Sequence, residues 1–593
     1  MSLDVNISLD VNKLKGSSKL ANLSEYVEIS EGKWPENLSG HVFIVAPFSR
    51  KSDTHLFTGE GVIIRWDLKS EDGKIKVNSK KLKTWDSLWY ASLLPISKLF
   101  PKTFFPARTG LWGISEIANT AIVNMGGRLI LTADAGRYWE VDPNTLETLT
   151  PIGRFDEHIV SVPMSFFPMV ANTAHPFYDE ELKELITCEL RTKPRQEDFI
   201  ADMTSAPYIT RWDGEGTLKH WELEGTVLDG SPHTAIVTEE LIMIPDMPFQ
   251  NGIAMLLGLK IPPRKAYPKT QMYIVKREDL KADKGTVPSR LVTFGGDSYH
   301  FVCNYRHVDK KIHFVAVQQG TISLTEAIQP DDVKHFSGES YSKEYYGVPW
   351  MFAFDPGVLR KVVINEDAQL VNEEAFIHPG WYTTVLYTAD PREQKEEKGY
   401  SAIYQVYGGF QRDLVCRRQY MSFRDHKTRV FTDEQLPQQD LPCVLAKLPT
   451  DLNWKKLTEE LKVEQKDNPD THLSELGRGL LDFYVCPKGY LLDSIQFIPQ
   501  DKGYIFISVV TPTGSEIWLF AADCLSQGPI AKINLSNKIE FGFTLHSEYF
   551  DRLSERKSTY KVNRLASALG SLTKVPYEFF LNPRNDIVNR KVR

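Results

Sequence analysis

AIVNMGGRLILTAD, residues 121–134, is the stretch whose reading decides the fold. It divides into two short runs, AIVNM and RLILT, around Gly126 and Gly127. Both central positions of the tightest hairpin turns need positive φ, which glycine adopts without steric cost. Each run is too short for a typical helix and rich in branched aliphatic residues, so the segment predicts a β-hairpin. The same texture extends in both directions, through HVFIVAP (41–47), GVIIRWDLK (61–69), YIFISVV (504–510) and EIWLF (516–520). EDGK (71–74), DGEG (213–216) and PTGS (512–515) supply further hairpin-type turns. Many short, closely spaced strands imply an all-β sandwich, barrel or propeller. A chain of 593 residues favours the propeller, which grows by adding blades around one axis. No WD-type repeat marks the blades, so periodicity alone does not establish them.

The bulk numbers narrow the class. Hydrophobic residues make up 42 % and charged residues 25 %, ordinary values for a globular protein. A net charge of −7 offers no general attraction to nucleic acid, and no basic stripe interleaved with aromatics runs through the body. The cysteines, at 188, 303, 416, 443, 486 and 524, form no C-x-x-C pair, which argues against a thiolate zinc site. Their sparse use suits a reducing compartment, and a cytoplasmic location is expected. No apolar run of about 18 residues suggests a membrane span.

Three regions depart from the strand texture. Residues 321–347 are polar and turn-rich, and 433–480 are charged and partly helical (WKKLTEELKVEQ); both read as insertions, the second solvated. From 551 to 593 ten Lys or Arg stand against four Asp or Glu, which reads as a basic C-terminal extension. Residues 1–20, with SLDVN repeated, read as a flexible tail, leaving 21–550 as the propeller. SLWYASLLPISKLFPKTFFPARTGLW (87–112) is greasy for a loop. It reads either as a buried crossover or as a patch that dips into a membrane with Lys98, Lys102 and Arg108 near the headgroups. GIAMLLGLKIPPRK (252–265) is a second candidate patch.

Fourteen histidines compete for chemical roles. His175 (ANTAHPFYD), His233 (DGSPHTAIV) and His300 (GGDSYHFVC) sit where a turn delivers the chain to an apolar strand, and His546 lies in IEFGFTLHSEYF. Strand ends on different blades can converge on a propeller axis, although these four are 58, 67 and 246 positions apart. His55, His158, His220, His335, His426 and His472 lie among polar neighbours and are expected to be exposed. His307 and His313 are taken to share a strand with His300, with alternation turning His307 to the other face. His378, in AFIHPGW, is the histidine hardest to set aside on physical grounds.

At these residues the chain resembles the carotenoid cleavage oxygenase family. WPENLSGHVFIVAP (34–47), LFTGEGVIIRWDL (56–68), ANTAIVNMGGRLILTADAGRYWEVDPNTLET (118–148) and TAHP (173–176) are similar to family segments in matching order. The resemblance implies a seven-bladed propeller with loops and short helices capping one face. It implies Fe2+ held by His175, His233, His300 and His546, with positions left for O2. It also implies carboxylates behind the imidazoles; Asp134 and Ser494 fall at two such positions, with Asp493 beside the second and Glu373 or Glu374 as candidates for another. Thr120 corresponds to a threonine that in some members crowds the metal. Members that cleave hydroxylated stilbenes carry a lysine where this chain has Ala133, and animal retinoid isomerases carry a Pro–Asp–Pro–Cys–Lys stretch missing from 87–112. The expected activity is therefore oxidative cleavage of a conjugated C=C bond in a carotenoid or apocarotenoid, with peripheral membrane contact through 87–112. The altered acid positions keep open an O2-independent isomerase or ester-cleaving enzyme. A stilbene-cleaving oxygenase and a non-catalytic lipid-binding propeller remain alternatives.

Overall fold

A computed structural model describes residues 9–576, apart from 17, 49–54, 86–108, 111–112, 115, 162–168, 195–202, 250–267, 282–284 and 536–538. The hairpin that decided the fold forms as expected: Ala121–Met125 pairs antiparallel with Arg128–Thr132, with Met125 opposite Arg128. Gly126 and Gly127 take φ 59° and 89°. EDGK closes the same way, with Glu71 opposite Lys74 across Asp72 (φ 50°) and Gly73 (φ 74°).

Seven sheets of four or five strands make a seven-bladed β-propeller. The strands Ala121–Met125, Phe177–Asp179, Ile236–Val237, Ser298–Cys303, Thr384–Thr388, Leu491–Ile498 and Ser547–Phe550 each stand at the inner end of one blade. Ser547–Phe550 packs beside both Ala121–Met125 and Leu491–Ile498, which closes the ring. The closure joins distant parts of the chain. In the first blade His41–Phe48 pairs with Ser547–Phe550, matching His41 with Phe550 and Ile44 with Ser547. In the last blade Glu31–Gly32 pairs with Ala531–Asn534.

The strands bury nearly continuous apolar runs because each blade is packed on both faces. His41–Phe48 is buried from Val42 to Pro47, and Leu491–Ile498 is buried throughout. Trp66, Phe506 and Phe541 interlock between the first and last blades. Burying each such aromatic side chain stabilises the fold by about 1.5–3 kcal/mol.

Two regions differ from the sequence expectation. The tail was expected to be flexible over 1–20, yet Val11–Lys15 forms a 3-10 turn capped by Asp10, with Leu9, Val11 and Leu14 in the central core. Apolar spacing within a short polar segment was enough to dock it. The second insertion is interrupted, because Val444–Pro449 is a blade strand paired with Ala402–Tyr407. Its helix Trp454–Asp467, capped by Asn453, is solvated on one face only. Trp454, Leu457 and Leu461 recur at helical spacing and pack into a blade. The basic extension is anchored over its described part. Arg556 pairs with the buried Glu140, and Ser567 in the helix Arg564–Pro576 bonds Phe155 N at 3.1 Å. The 321–347 insertion carries Ser323–Ala327, which pairs with Pro349–Trp350, and buries Ile322, Ile328 and Tyr341.

Candidate metal centre

Four inner strands deliver the four histidines. His175 and Thr234 form a parallel bridge ahead of two blades: His175 N donates to His233 O at 2.9 Å, and Ala235 N donates to His175 O at 3.0 Å. His300 lies within Ser298–Cys303, at a register shift. His546 directly precedes Ser547–Phe550; its N donates to Thr120 O (3.2 Å), and its O accepts from Val45 N (3.1 Å). Backbone pairing therefore places each ring within or directly beside a strand rather than in a free loop.

The rings meet. Centroid separations are 4.1 Å for His175–His546, 4.7 Å for His175–His233, 5.1 Å for His233–His300 and 5.4 Å for His300–His546. One ring nitrogen from each lies within 4.8 Å of the other three. Removal from water, added to the field of the neighbouring rings, pushes the His175 and His300 imidazoles well below their ordinary protonation range. The same causes lower His546 to about 3. All three stay neutral at physiological pH, the state in which imidazole ligates a metal.

The pocket fits a metal ion by an independent observation. His175 Nε2 and both ring nitrogens of His300 are buried without a hydrogen-bond partner. Leaving such a group unsatisfied costs about 1–3 kcal/mol, and a cation would take the one lone pair that each neutral ring offers. Four neutral imidazoles suit a first-row transition ion rather than calcium or magnesium, which favour oxygen.

Behind the rings, Asp134 Oδ1 accepts from His233 Nδ1 at 2.7 Å and also receives Ala174 N at 3.3 Å. One carboxylate thus orients the His233 ring and steadies the segment carrying His175. Ser494 touches none of the four rings. Its hydroxyl bonds Thr544 Oγ1 (2.8 Å) and Leu545 O, so it bears on the backbone leading into His546. Asp493 bonds Thr544 N and Thr544 Oγ1, and burial pushes its carboxyl well above the usual range. Glu373 pairs with Arg360 and accepts from Gly295 N, whereas Glu374 pairs with Lys361 and accepts from Trp454 N. Both glutamates are committed to the blade and its docked helix.

A cavity opens on His233, His300 and His546. Phe57, Ile117, Met169, Phe249, Leu324, Met351 and Phe543 supply much of its wall, with Thr120 and Asp134 beside the rings. Leu324 comes from the 321–347 insertion. Thr120 Oγ1 donates to Asn119 Oδ1 (3.0 Å), while Asn119 Nδ2 holds Phe57 O (2.9 Å) and Gly59 O (2.7 Å). Gly59 and Gly61 are required here: a Cβ would lie 2.5 Å from the Phe48 backbone at the first and 2.4 Å from Ala118 O at the second. Sequence reasoning missed Asn119 and Gln319 on this wall. Gln319 donates to Thr384 O and leaves Oε1 buried without a partner. An isolated amide in a polar turn gives no local signal of facing an apolar cavity.

The other histidines divide differently from expectation. His55 and His158 were expected to be exposed but are buried; His158 sits between Glu189 (2.9 Å) and Ile152 O (3.0 Å). His220, His335, His426 and His472 are partly covered. Polar sequence neighbours did not report the blade packed against them. His307 does not share the strand of His300, which ends at Cys303; it lies in the following loop, and His313 belongs to the next strand, Lys311–Gln318. His378 is a core residue stacked 3.8 Å from Trp381, with Nε2 donating to Leu476 O and Nδ1 accepting from Gly380 N.

A propeller that gathers four imidazoles from four inner strands around one point, with an apolar cavity beside them, defines a class of metal-binding β-propellers. Residues 18–551 match the retinal pigment epithelial membrane protein family, and the chain belongs to that family, that of the carotenoid oxygenases. Isoeugenol monooxygenase from Pseudomonas nitroreducens is 26 % identical over 234 residues, 38 % of this chain. That match spans 44 % of the relative, less than half its length. Among solved structures, a single-residue variant of Synechocystis apocarotenoid oxygenase superposes with a TM-score of 0.58 at 15 % identity. It covers 91 % of this chain and 98 % of that one. Cobalt-substituted Synechocystis apocarotenoid oxygenase gives 0.56 at 16 % identity, covering 92 % and 99 %. At these identities the likeness establishes the fold.

Proposed function

We propose that the chain is an iron(II) oxygenase that uses O2 to cleave a conjugated C=C bond of a carotenoid or apocarotenoid, giving two carbonyl products. His175, His233, His300 and His546 are the residues that would hold the ion. Bound there, iron would supply the redox chemistry that lets O2 react with an electron-rich alkene. The remaining work belongs to the chain. Asp134 keeps the His233 proton on Nδ1 and its other nitrogen free. Phe57, Phe249, Met351 and Phe543 exclude water and hold an extended apolar substrate, while Thr120 limits the space beside the rings.

The observation that carries this reading is the apolar cavity that meets three of the four imidazoles. Among the described residues lining it there is no lysine, arginine or tyrosine, so a phenolate would find no cationic or phenolic partner there. That favours a hydrocarbon chain. The match to isoeugenol monooxygenase favours a second reading, cleavage of a smaller phenylpropenoid alkene.

The test is product mass spectrometry under ¹⁸O2 with carotenoids, apocarotenoids, stilbenes and isoeugenol. Labelled carbonyl products from a polyene, and none under argon, are expected. His233→Ala should lose both iron and turnover. Full activity in iron-free protein would overturn the proposal, and conversion under argon would assign an isomerase instead. Turnover confined to isoeugenol would select the phenylpropenoid reading.

Among the described residues no helix is long and apolar enough to cross a membrane. The patches at 87–112 and 252–265 fall outside the described residues, 109–110 excepted. The reading includes peripheral contact through 87–112, with co-sedimentation on phospholipid vesicles as its test. Recovery of the protein entirely in the supernatant would remove that contact.

A further inference from the structure

A second set of ligand atoms lies outside the four-histidine centre. His307 occupies the loop between Ser298–Cys303 and Lys311–Gln318. Glu240 sits in the turn between Ile236–Val237 and Leu241–Asp246, and Glu366 in the turn between Pro356–Asn365 and Leu370–Tyr382. His307 and Glu366 belong to one blade and Glu240 to its neighbour. One ligand atom from each lies within 4.8 Å of the other two.

The imidazole is fixed and poised. Its side chain is only 6 % exposed. Nε2 lies 2.9 Å from Thr238 Oγ1. That oxygen also receives Leu241 N at 3.0 Å and directs its own hydrogen towards Leu241 O at 3.5 Å. Thr238 thus engages Nε2 and leaves Nδ1 as the ring nitrogen turned towards the two glutamates. Nδ1 is buried and has no hydrogen-bond partner. It faces Glu366 Oε1 at 3.6 Å and Glu240 Oε2 at 3.9 Å. Both distances are too long for hydrogen bonds. They suit donors that share one ion: ligands each about 2.0–2.2 Å from a zinc ion stand roughly 3–4 Å apart.

We propose that Glu240, His307 and Glu366 form a site for a divalent transition-metal ion of the zinc class, with water completing its coordination. The donor set argues for that class. Two carboxylates balance the ion's charge, and the imidazole disfavours calcium and magnesium. Thr238 plays the part of the outer group that orients a ligand imidazole through its other ring nitrogen. Bound metal would tie hairpins of adjacent blades together and so stabilise the folded chain by mass action. The site shares no residue with the oxygenase centre and does not depend on the function proposed above.

The test uses the full-length, iron-loaded protein titrated with zinc chloride by calorimetry, with iron content followed throughout so that displacement at the four histidines is seen. One additional zinc per chain is expected, with Tm rising as zinc is added. Glu240→Gln and Glu366→Gln should each weaken zinc binding at least about tenfold, with iron content unchanged. Both residues are at the surface, so these variants keep the fold, whereas His307→Gln alone would not separate binding from packing. No zinc taken up beyond that which displaces iron would overturn the proposal. Equal zinc affinity in the wild type and both glutamine variants would also overturn it.

Discussion

Asp134 Oδ1 accepts from His233 Nδ1 at 2.7 Å. Ala174 N donates to the same oxygen at 3.3 Å, so one carboxylate oxygen ties the segment carrying His175 to the His233 ring. Asp134→Asn would leave His233 without an anionic partner. Retained iron after brief exposure to a chelator should fall, with an affinity loss of about 10–100-fold; metal analysis checks it, and full retention would refute it. Gln319 leaves an unpaired acceptor at a largely apolar wall. A substrate hydroxyl that reaches it would gain a neutral hydrogen bond worth about 0.5–1.5 kcal/mol. Gln319→Leu should therefore raise KM about two- to tenfold for ring-hydroxylated apocarotenoids and leave unsubstituted ones nearly unchanged. Equal effects on both would remove Gln319 from recognition. His175, His233 and His300 were legible from their setting, a turn running into an apolar strand, whereas His546 entered through the family resemblance. Gln319 and the burial of His55 and His158 were not, because those depend on what packs against them from elsewhere.

Hairpins and the docked helix carry the element-level lessons. Gly127 holds φ 89°, and a Cβ there would come within 2.7 Å of Ser554 Oγ. Gly127→Val should destabilise the chain by about 1–2 kcal/mol, read as a lower urea midpoint; an unchanged midpoint would contradict the turn assignment. The strand runs and glycine turns were readable because both signals are local: side-chain alternation and the sign of φ. The 433–480 segment shows the limit. Its charge suggested full exposure, but Trp454, Leu457 and Leu461 lie on one helical face and dock against Phe376 and Trp381. Charge content hid a stripe that spacing would have revealed. The C-terminal extension was marked by composition alone, which cannot foresee Arg556 reaching the buried Glu140.

For the whole molecule, buried neutral histidines tie stability to pH. Burial lowers His378 from 6.5 to about 3. Below pH 6.5 the unfolded chain takes up a proton that the folded chain refuses, so stability falls as pH drops from 6.5 towards 3. Above 6.5 this group adds no slope. The urea midpoint should decline across that window, and His378→Gln should make the decline shallower. An identical slope in both proteins would refute the assignment. His55, lowered to about 4 by burial, adds to the trend with the same sign.

By itself the sequence determined an all-β chain of short paired strands, the turns that join them, and a short set of histidines in ligand-like settings. Those features are encoded within a few residues, where sterics and hydrophobic alternation act. Only the tertiary structure decided that His175, His233, His300 and His546 share one point, that Asp134 serves His233 while Ser494 serves a backbone, and that Glu240, His307 and Glu366 face one another. The reason is the ring. Its closure pairs His41–Phe48 with Ser547–Phe550, and contacts between parts so distant in the chain depend on the whole circle of blades rather than on any local pattern.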